Sequence, residues 1–218
     1  MMAQQQHAHP YVPRTLELPG FVPPSFSSPF LFGVYGAASL LLVVLTWSIS
    51  KRHAHLNKVE RLLLCWWWFT GLTHVILEGY FVFTPDFYKK QSNFLADVWK
   101  EYSKGDSRYA ARDMAVISVE GITAVLAGPA SLLAVYSIIA RRPYQHPLQL
   151  IISVGQLYGD AVYFITYFFG GTEHRLPGLT YFWLYIVFMN GIWVVIPSII
   201  AIRSWNKIIH AFTKQKET

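Results

Sequence analysis

Five apolar runs decide what this chain can become: Phe30 to Ile49, Leu62 to Phe83, Met114 to Ala140, Leu148 to Phe169 and Thr180 to Ile202. An α-helix rises about 1.5 Å per residue, so about 20 residues cross a hydrocarbon layer roughly 30 Å thick. Only 14% of the residues are charged, against about a quarter in an ordinary soluble domain. The expectation is an all-α membrane protein, with five transmembrane helices enclosing an intramembrane cavity. A polar, proline-dotted segment (1–29) precedes the five-helix domain (30–202), and a basic tail (203–218) follows it. The first run is too long for the apolar core of a signal peptide, so the chain is expected to stay in the membrane as a multi-pass protein.

Lysine and arginine in the short loops set orientation. The first loop carries Lys51, Arg52, Lys58 and Arg61, the third Arg141 and Arg142, and the tail Arg203, Lys207, Lys214 and Lys216. With five crossings these lie on one face, opposite Arg14, Arg175 and a longer second loop of mixed charge, Thr84 to Asp113. The predicted arrangement is a lumenal N-terminus and a cytosolic C-terminus. The terminal KQKET places Lys214 and Lys216 where a dilysine retrieval signal has them, which points to the endoplasmic reticulum membrane. The net charge of +6 then serves contact with anionic membrane lipid and makes no case for nucleic acid. A single cysteine, Cys65, excludes an internal disulfide, and no phosphate-binding loop, GxGxxG turn or HExxH pattern is present.

Inside the runs the charged residues are Glu78, Glu120 and Asp160, joined by His74, with no lysine or arginine to pair them. Intramembrane ionisable groups are costly and are functional candidates by default. Helical rise puts Glu78 and Glu120 near one depth, with His74, Asp160 and Asn190 two or three turns from the same boundary. His74 and Glu78 are four residues apart, Glu120 and Thr123 three, and Asn190 and Trp193 three, so each pair shares a helix face. Each also has a plainer reading. His74 and Asn190 suit interhelical hydrogen bonds, Asp160 a link to a neighbouring Tyr or Gln, and Trp193 a core position. One histidine among carboxyls is a poor metal set, so no metal is expected. Pro129 and Pro197 are expected to kink their helices near the cavity. Gly155 and Gly159 form a GxxxG pattern that predicts close helix packing. In the second loop, Ala96 to Tyr102 reads as a short helix ended by Gly105, with Asp106 or Ser107 capping the next. Its aromatics Trp99, Tyr102 and Tyr109 would serve equally as a roof over the cavity.

The ordered stretches HVILEGYF, WKEYSKGDSRY, VEGITAVLAGP, SVGQLYGDAVYF and YFWLYIVFMNGIW resemble the emopamil-binding protein family, the 3β-hydroxysteroid Δ8,Δ7-isomerases, and its plant branch in particular. The likeness runs from His9 to the last apolar run. It implies a five-helix EXPERA-like enzyme of the endoplasmic reticulum, a homodimer, that moves a sterol ring double bond from Δ8 to Δ7 without a cofactor. The family's functional histidine and two glutamates match His74, Glu78 and Glu120; its pocket threonine, asparagine and tryptophan match Thr123, Asn190 and Trp193.

The reaction adds a proton at carbon 9, passes through a cation at carbon 8 and loses a proton from carbon 7. A carboxylate about 5 Å from that cation contributes about 3 kcal/mol at an effective dielectric near 20. The face of Trp193 would add about 0.5–2 kcal/mol. Two neighbouring carboxyls do not both ionise cheaply in such a medium, which supplies an acid and a base. The expected allocation makes His74 the donor, Glu78 its orienting partner and Glu120 the acceptor, with donor and acceptor exchangeable. A Δ8-sterol and lipophilic amines are the expected ligands. The competing readings are a non-catalytic sterol- or amine-binding membrane protein and a proton-coupled carrier, the latter without the internal repeat many carriers show.

Overall fold

A computed structural model describes residues 9–170, 174 and 178–216, which form helices and no strand. Arg175, used above for orientation, and the last two residues of KQKET lie outside the described residues. Helix α1 spans Ser28–Ser50 and α2 spans Lys58–Leu72. The second run continues through a π-helical segment, Thr73–Glu78, into α3, Gly79–Phe83. After a 3₁₀ turn at Phe87–Lys89 come α4, Phe94–Tyr102, and α5, Met114–Ile122. A second π segment, Thr123–Ala127, leads into α6, Gly128–Ile139. Helix α7 spans Gln145–Phe169, and a third π segment, Tyr181–Phe188, opens α8, Met189–Lys216.

Four of these runs are long and apolar enough to cross a membrane: Ser28–Ser50, Met114–Ile139, Gln145–Phe169 and Tyr181–Gln215. The chain is a membrane protein. Only 6% of the most apolar stretch of α1 is buried, so that helix depends on lipid rather than on protein for its apolar surroundings. The run Lys58–Phe83 is as long but not among the four, its apolar character diluted by Trp66, Trp67, Trp68, His74 and Glu78. It begins four residues before the expected Leu62 because Asn57 and Glu60 form a capping box, each side chain bonded to the other's backbone N–H.

Two apolar clusters bracket the middle of the molecule. One joins α2, α6, α7 and α8 through Leu64, Trp67, Val135, Ile138, Ile152 and Ile200. The other lies at the opposite end, where Phe81, Phe87, Trp99 and Tyr109 pack with Tyr11, Leu18 and Phe21 of the N-terminal segment. That segment is folded onto the second loop: Asp97 Oδ2 accepts from Ser25 N (2.6 Å) and Phe26 N (3.2 Å), and the Tyr11 hydroxyl donates to the Lys100 carbonyl (3.0 Å). Asp97 and Lys100 are fully buried and paired at 3.0 Å.

Several local expectations are corrected. Asp113, not Asp106 or Ser107, caps α5, accepting from Ala115 N and Val116 N. Asp106 is instead spent on the Arg108 guanidinium (2.7 Å) and Ser107 bonds the His174 ring (2.9 Å). Pro129 shows its missing N–H as a change of pitch, since the π segment Thr123–Ala127 ends just ahead of it. Pro197 lies inside α8, where its missing N–H removes the helical bond to the Trp193 carbonyl. Gly155 is not a packing glycine, because a Cβ there meets nothing within 4 Å, and at Gly159 the nearest atom is 3.5 Å away. Close approaches are instead at Gly71, Gly105 and Gly128; at Gly128 a Cβ would stand 2.7 Å from Val75 Cγ2, 3.1 Å from His74 Cβ and 3.2 Å from Val75 N.

Overpacking a fitted contact costs about 1–3 kcal/mol, more than the 0.5–1 kcal/mol that alanine gains over glycine in a helix. Gly128→Ala is therefore expected to lower the thermal midpoint of the detergent-solubilised protein by several degrees, while Gly155→Ala leaves it unchanged or raises it. Equal midpoints for the two variants would refute this account of the helix contact.

Candidate active site

Each of the three π segments adjoins a group that the sequence singles out. His74 and Glu78 lie on the first, Thr123 opens the second three residues after Glu120, and Asn190 follows the third. In a π turn the N–H bonds the carbonyl five residues back, as Gly79 does to His74, Gly128 to Thr123 and Met189 to Leu184. Such a turn leaves carbonyls for other donors. The Trp99 indole takes that of Leu77 at 2.9 Å. The Asn190 amide donates to Tyr185 O (2.9 Å) and Ile186 O (3.1 Å).

Between the two apolar clusters lies a cleft with about 1130 Å³ of unfilled space, part of it open to the outside. All ten residues named from the sequence line it: His74, Glu78, Trp99, Tyr102, Tyr109, Glu120, Thr123, Asp160, Asn190 and Trp193. Among the described residues its wall contains no lysine or arginine. It also holds no group of three His, Cys, Asp or Glu side chains able to grip a metal ion.

The acids are held in different ways. Glu78 Oε1 is 2.6 Å from His74 Nδ1, and Oε2 accepts from the Thr123 hydroxyl, which approaches it more closely than it does the Glu120 carbonyl at 2.9 Å. Glu120 Oε1 accepts from the Tyr109 hydroxyl at 2.5 Å. Burial, reinforced by the nearby Glu120, pushes the Tyr109 phenol well above its ordinary value, so it remains a donor. Asp160 Oδ2 is buried without a hydrogen-bond partner. Thus one carboxyl meets an imidazole and a hydroxyl, one has a phenol, and one oxygen of the third is unspent.

The second-loop aromatics form the roof. Trp99 stacks on Tyr109 (5.2 Å, 23°), and Tyr102 meets Tyr109 edge-on (5.0 Å, 89°). Tyr102 and Asn190 bond each other, with Asn190 Nδ2 3.1 Å from the phenol oxygen. Asn190 therefore ties the roof to the third π segment. Trp193 lies beside His74, ring centroids 6.3 Å apart and tilted by 57°.

Sequence reasoning missed Thr70, Gln156, Tyr163, Tyr185 and Glu101. Gln156 and Tyr163 lie four before and three after Asp160, so helical spacing was a signal for both. Thr70 is four residues before His74, and its side chain is within 3.0 Å of the imidazole. Glu101 lines the cleft but is occupied by Lys104 (2.6 Å) and the Tyr185 hydroxyl (2.8 Å).

A sequence profile described as EXPERA (EXPanded EBP superfamily) matches residues 94–204. A rice protein (Oryza sativa subsp. japonica) named "Probable 3-beta-hydroxysteroid-Delta(8),Delta(7)-isomerase" is 53% identical over 212 residues, 96% of each chain. An Arabidopsis thaliana protein of the same name is 54% identical over 208 residues, covering 95% of this chain and 92% of its own. A protoglabretal synthase of Citrus sinensis is 45% identical over 192 residues, 88% of this chain and 90% of its own. Matches of this depth along nearly the whole chain, together with a profile running from the roof through Met114–Ile139 and Gln145–Phe169 into the last long helix, place this protein in the EBP family, the EXPERA superfamily.

Proposed function

We propose that the protein is a sterol Δ8,Δ7-isomerase that shifts the ring double bond through a carbocation. The observation that carries this reading is an acid-lined cleft with no lysine or arginine among its described wall residues, in a chain about half identical to two proteins bearing that enzyme name. A wall of carboxyl groups with apolar surroundings favours positive charge in its ligand, and a preorganised anion is worth most where water is excluded. Lipophilic amines, which carry the charge permanently, fit the same wall.

The geometry favours an allocation different from the expected one and from its exchange, with Glu120 as donor and Glu78, in place of His74, as the other proton-transfer group. Both nitrogens of His74 are occupied, Nδ1 by Glu78 and Nε2 by Thr70 and Gln156, so the imidazole has no nitrogen left for the sterol. Glu78, accepting from His74 and Thr123, is the carboxylate that faces the carbon 8 cation and takes the carbon 7 proton. Glu120 carries the proton given to carbon 9. Asp160, with an unspent oxygen, adds negative field, and Trp193 presents a ring face. The proton gained and the proton lost balance, so no redox cofactor enters.

Lys58–Phe83 is the fifth crossing in this reading, with the cleft inside the membrane. The N-terminal cap is lumenal and the C-terminus cytosolic, in the endoplasmic reticulum. The exposed apolar helix faces then meet lipid and a second copy of the chain.

Incubated with a Δ8-sterol in deuterated water and no added cofactor, the purified protein is expected to yield a Δ7-sterol with one deuterium at carbon 9. Glu78→Gln and Glu120→Gln are each expected to lower kcat by about 10²- to 10⁴-fold, the range of general acid–base catalysis. A product lacking solvent label would dismiss the proton-transfer roles. Untouched sterol with amine binding intact would leave a binding protein.

Topology is tested separately. A glycosylation acceptor placed in the second loop is expected to be modified and one at the C-terminus to remain bare; the reverse pattern would invert the orientation.

A further inference from the structure

Behind His74, on the side away from Glu78, three polar side chains converge in a space closed to solvent. Thr70 has no exposure, His74 has 2% and Gln156 has 3%. Thr70 Oγ1 is 3.0 Å from His74 Nε2, 3.0 Å from Gln156 Nε2 and 3.1 Å from Trp193 Nε1. Gln156 Nε2 is itself 3.0 Å from His74 Nε2.

The donor inventory of these groups leaves little freedom. An indole N–H only donates, and an amide NH₂ only donates, so Trp193 and Gln156 take both lone pairs of the Thr70 oxygen. The Thr70 proton must then point at its remaining neighbour, His74 Nε2. The second amide proton of Gln156 points there too. Two donors aimed at one ring nitrogen require that nitrogen to be bare, and the imidazole proton therefore sits on Nδ1, donating to Glu78 Oε1. Reversing the Gln156 amide would require the opposite tautomer. It would also put two amide protons where its Oε1 now lies buried without a partner, and two orphaned donors cost more than one orphaned acceptor.

We infer that Thr70 and Gln156, with the indole of Trp193, are positioning residues that hold His74 as its Nδ1–H tautomer. The functional consequence deepens the isomerase reading and rests on it. An Nδ1–H donating to Oε1, beside the Thr123 hydroxyl donating at Oε2, favours the carboxylate form of Glu78. The proton of the pair then resides on Glu120. With the other tautomer, bare Nδ1 would face Glu78 and call for a protonated acid there, reversing the two carboxyls. Groups that act on the reaction through His74, and not on the reacting carbons, thus select which acid is the anion.

The test reads the tautomer directly. Full-length protein labelled with ¹⁵N-histidine in detergent micelles gives Nδ1 and Nε2 resonances, with those of His74 identified by their loss in His74→Gln. The expected result is a protonated Nδ1 and a bare Nε2. Gln156→Glu, which keeps the shape but offers oxygens to Nε2, is expected to move the proton to Nε2. Thr70→Val is expected to lower kcat about 10- to 100-fold with KM within about twofold, the scale on which outer-shell hydrogen bonds act, and Thr70→Ser to restore it. A protonated Nε2 in the parent protein would overturn the inference, as would an unchanged tautomer in Gln156→Glu. Full kcat in a folded Thr70→Val would overturn it as well. Should the tautomer behave as stated while no variant or parent converts a Δ8-sterol, the network stands and the isomerase reading falls.

Discussion

A carboxyl group carried into an apolar slab has to find donors, a cation or a proton, and the described wall of this cleft offers no cation. The fold can be understood as the supply of donors to Glu78 and Glu120. Glu78 draws on its own helix through His74 and on the next through Thr123; Glu120 draws on the second loop through Tyr109. Those bonds join the first π segment to the second, and α5 to the roof. Apolar packing above and below then excludes water from the contacts that most need its exclusion. Removing one donor would leave a charge or a proton whose only compensation is a costly one.

The π segments are the local means to this end. A regular α-helix hides its carbonyls and spaces its side chains every 100°, whereas a single wide turn displaces the face downstream and leaves carbonyls free. The first of these segments sets His74 and Glu78 across one hydrogen bond and frees Leu77 O for Trp99. The third exposes carbonyls that Asn190 closes. Gly128 permits the first and second to touch, because a side chain there would collide with the Val75 side chain and crowd His74 Cβ. The local irregularities and the close approach at Gly128 are thus parts of the same arrangement.

Much of this is legible in the chain itself. Long apolar runs broken by basic loops give helices, and acids without partners inside those runs mark the cleft, because both follow from transfer free energies summed over many residues. Finer features depend on single choices among near-equal alternatives. Asp106, Ser107 and Asp113 are all good N-caps, and only the presence of Arg108 and the His174 turn explains why the third takes the role. The Gly155–Gly159 spacing looks like a packing motif, yet what a glycine faces is a tertiary fact. The π segments have no residue signature beyond Pro129. Thr70 and Gln156 are invisible for a different reason: neutral hydroxyl and amide groups in an apolar run cost little, so nothing in composition distinguishes a hub from helix glue.

The N-terminal segment supplies the last step. Read as a polar extension, it has no evident bearing on chemistry, yet Tyr11, Leu18 and Phe21 share one cluster with Trp99 and Tyr109. Asp97, one helical turn from Glu101 in the cleft wall, is capped by the backbone of Ser25 and Phe26 and paired with Lys100 in full burial. A buried pair of this kind adds little net stability against an apolar substitute, but breaking it leaves an uncompensated charge. Its effect is to prescribe where α4 sits, and α4 carries Trp99 and Tyr102 into the roof. The hydroxyl of Tyr109, stacked on Trp99, reaches Glu120 only while that roof is seated. The donor that compensates one of the two central acids is therefore held in place by residues at the opposite end of the sequence from the last cleft-lining helix.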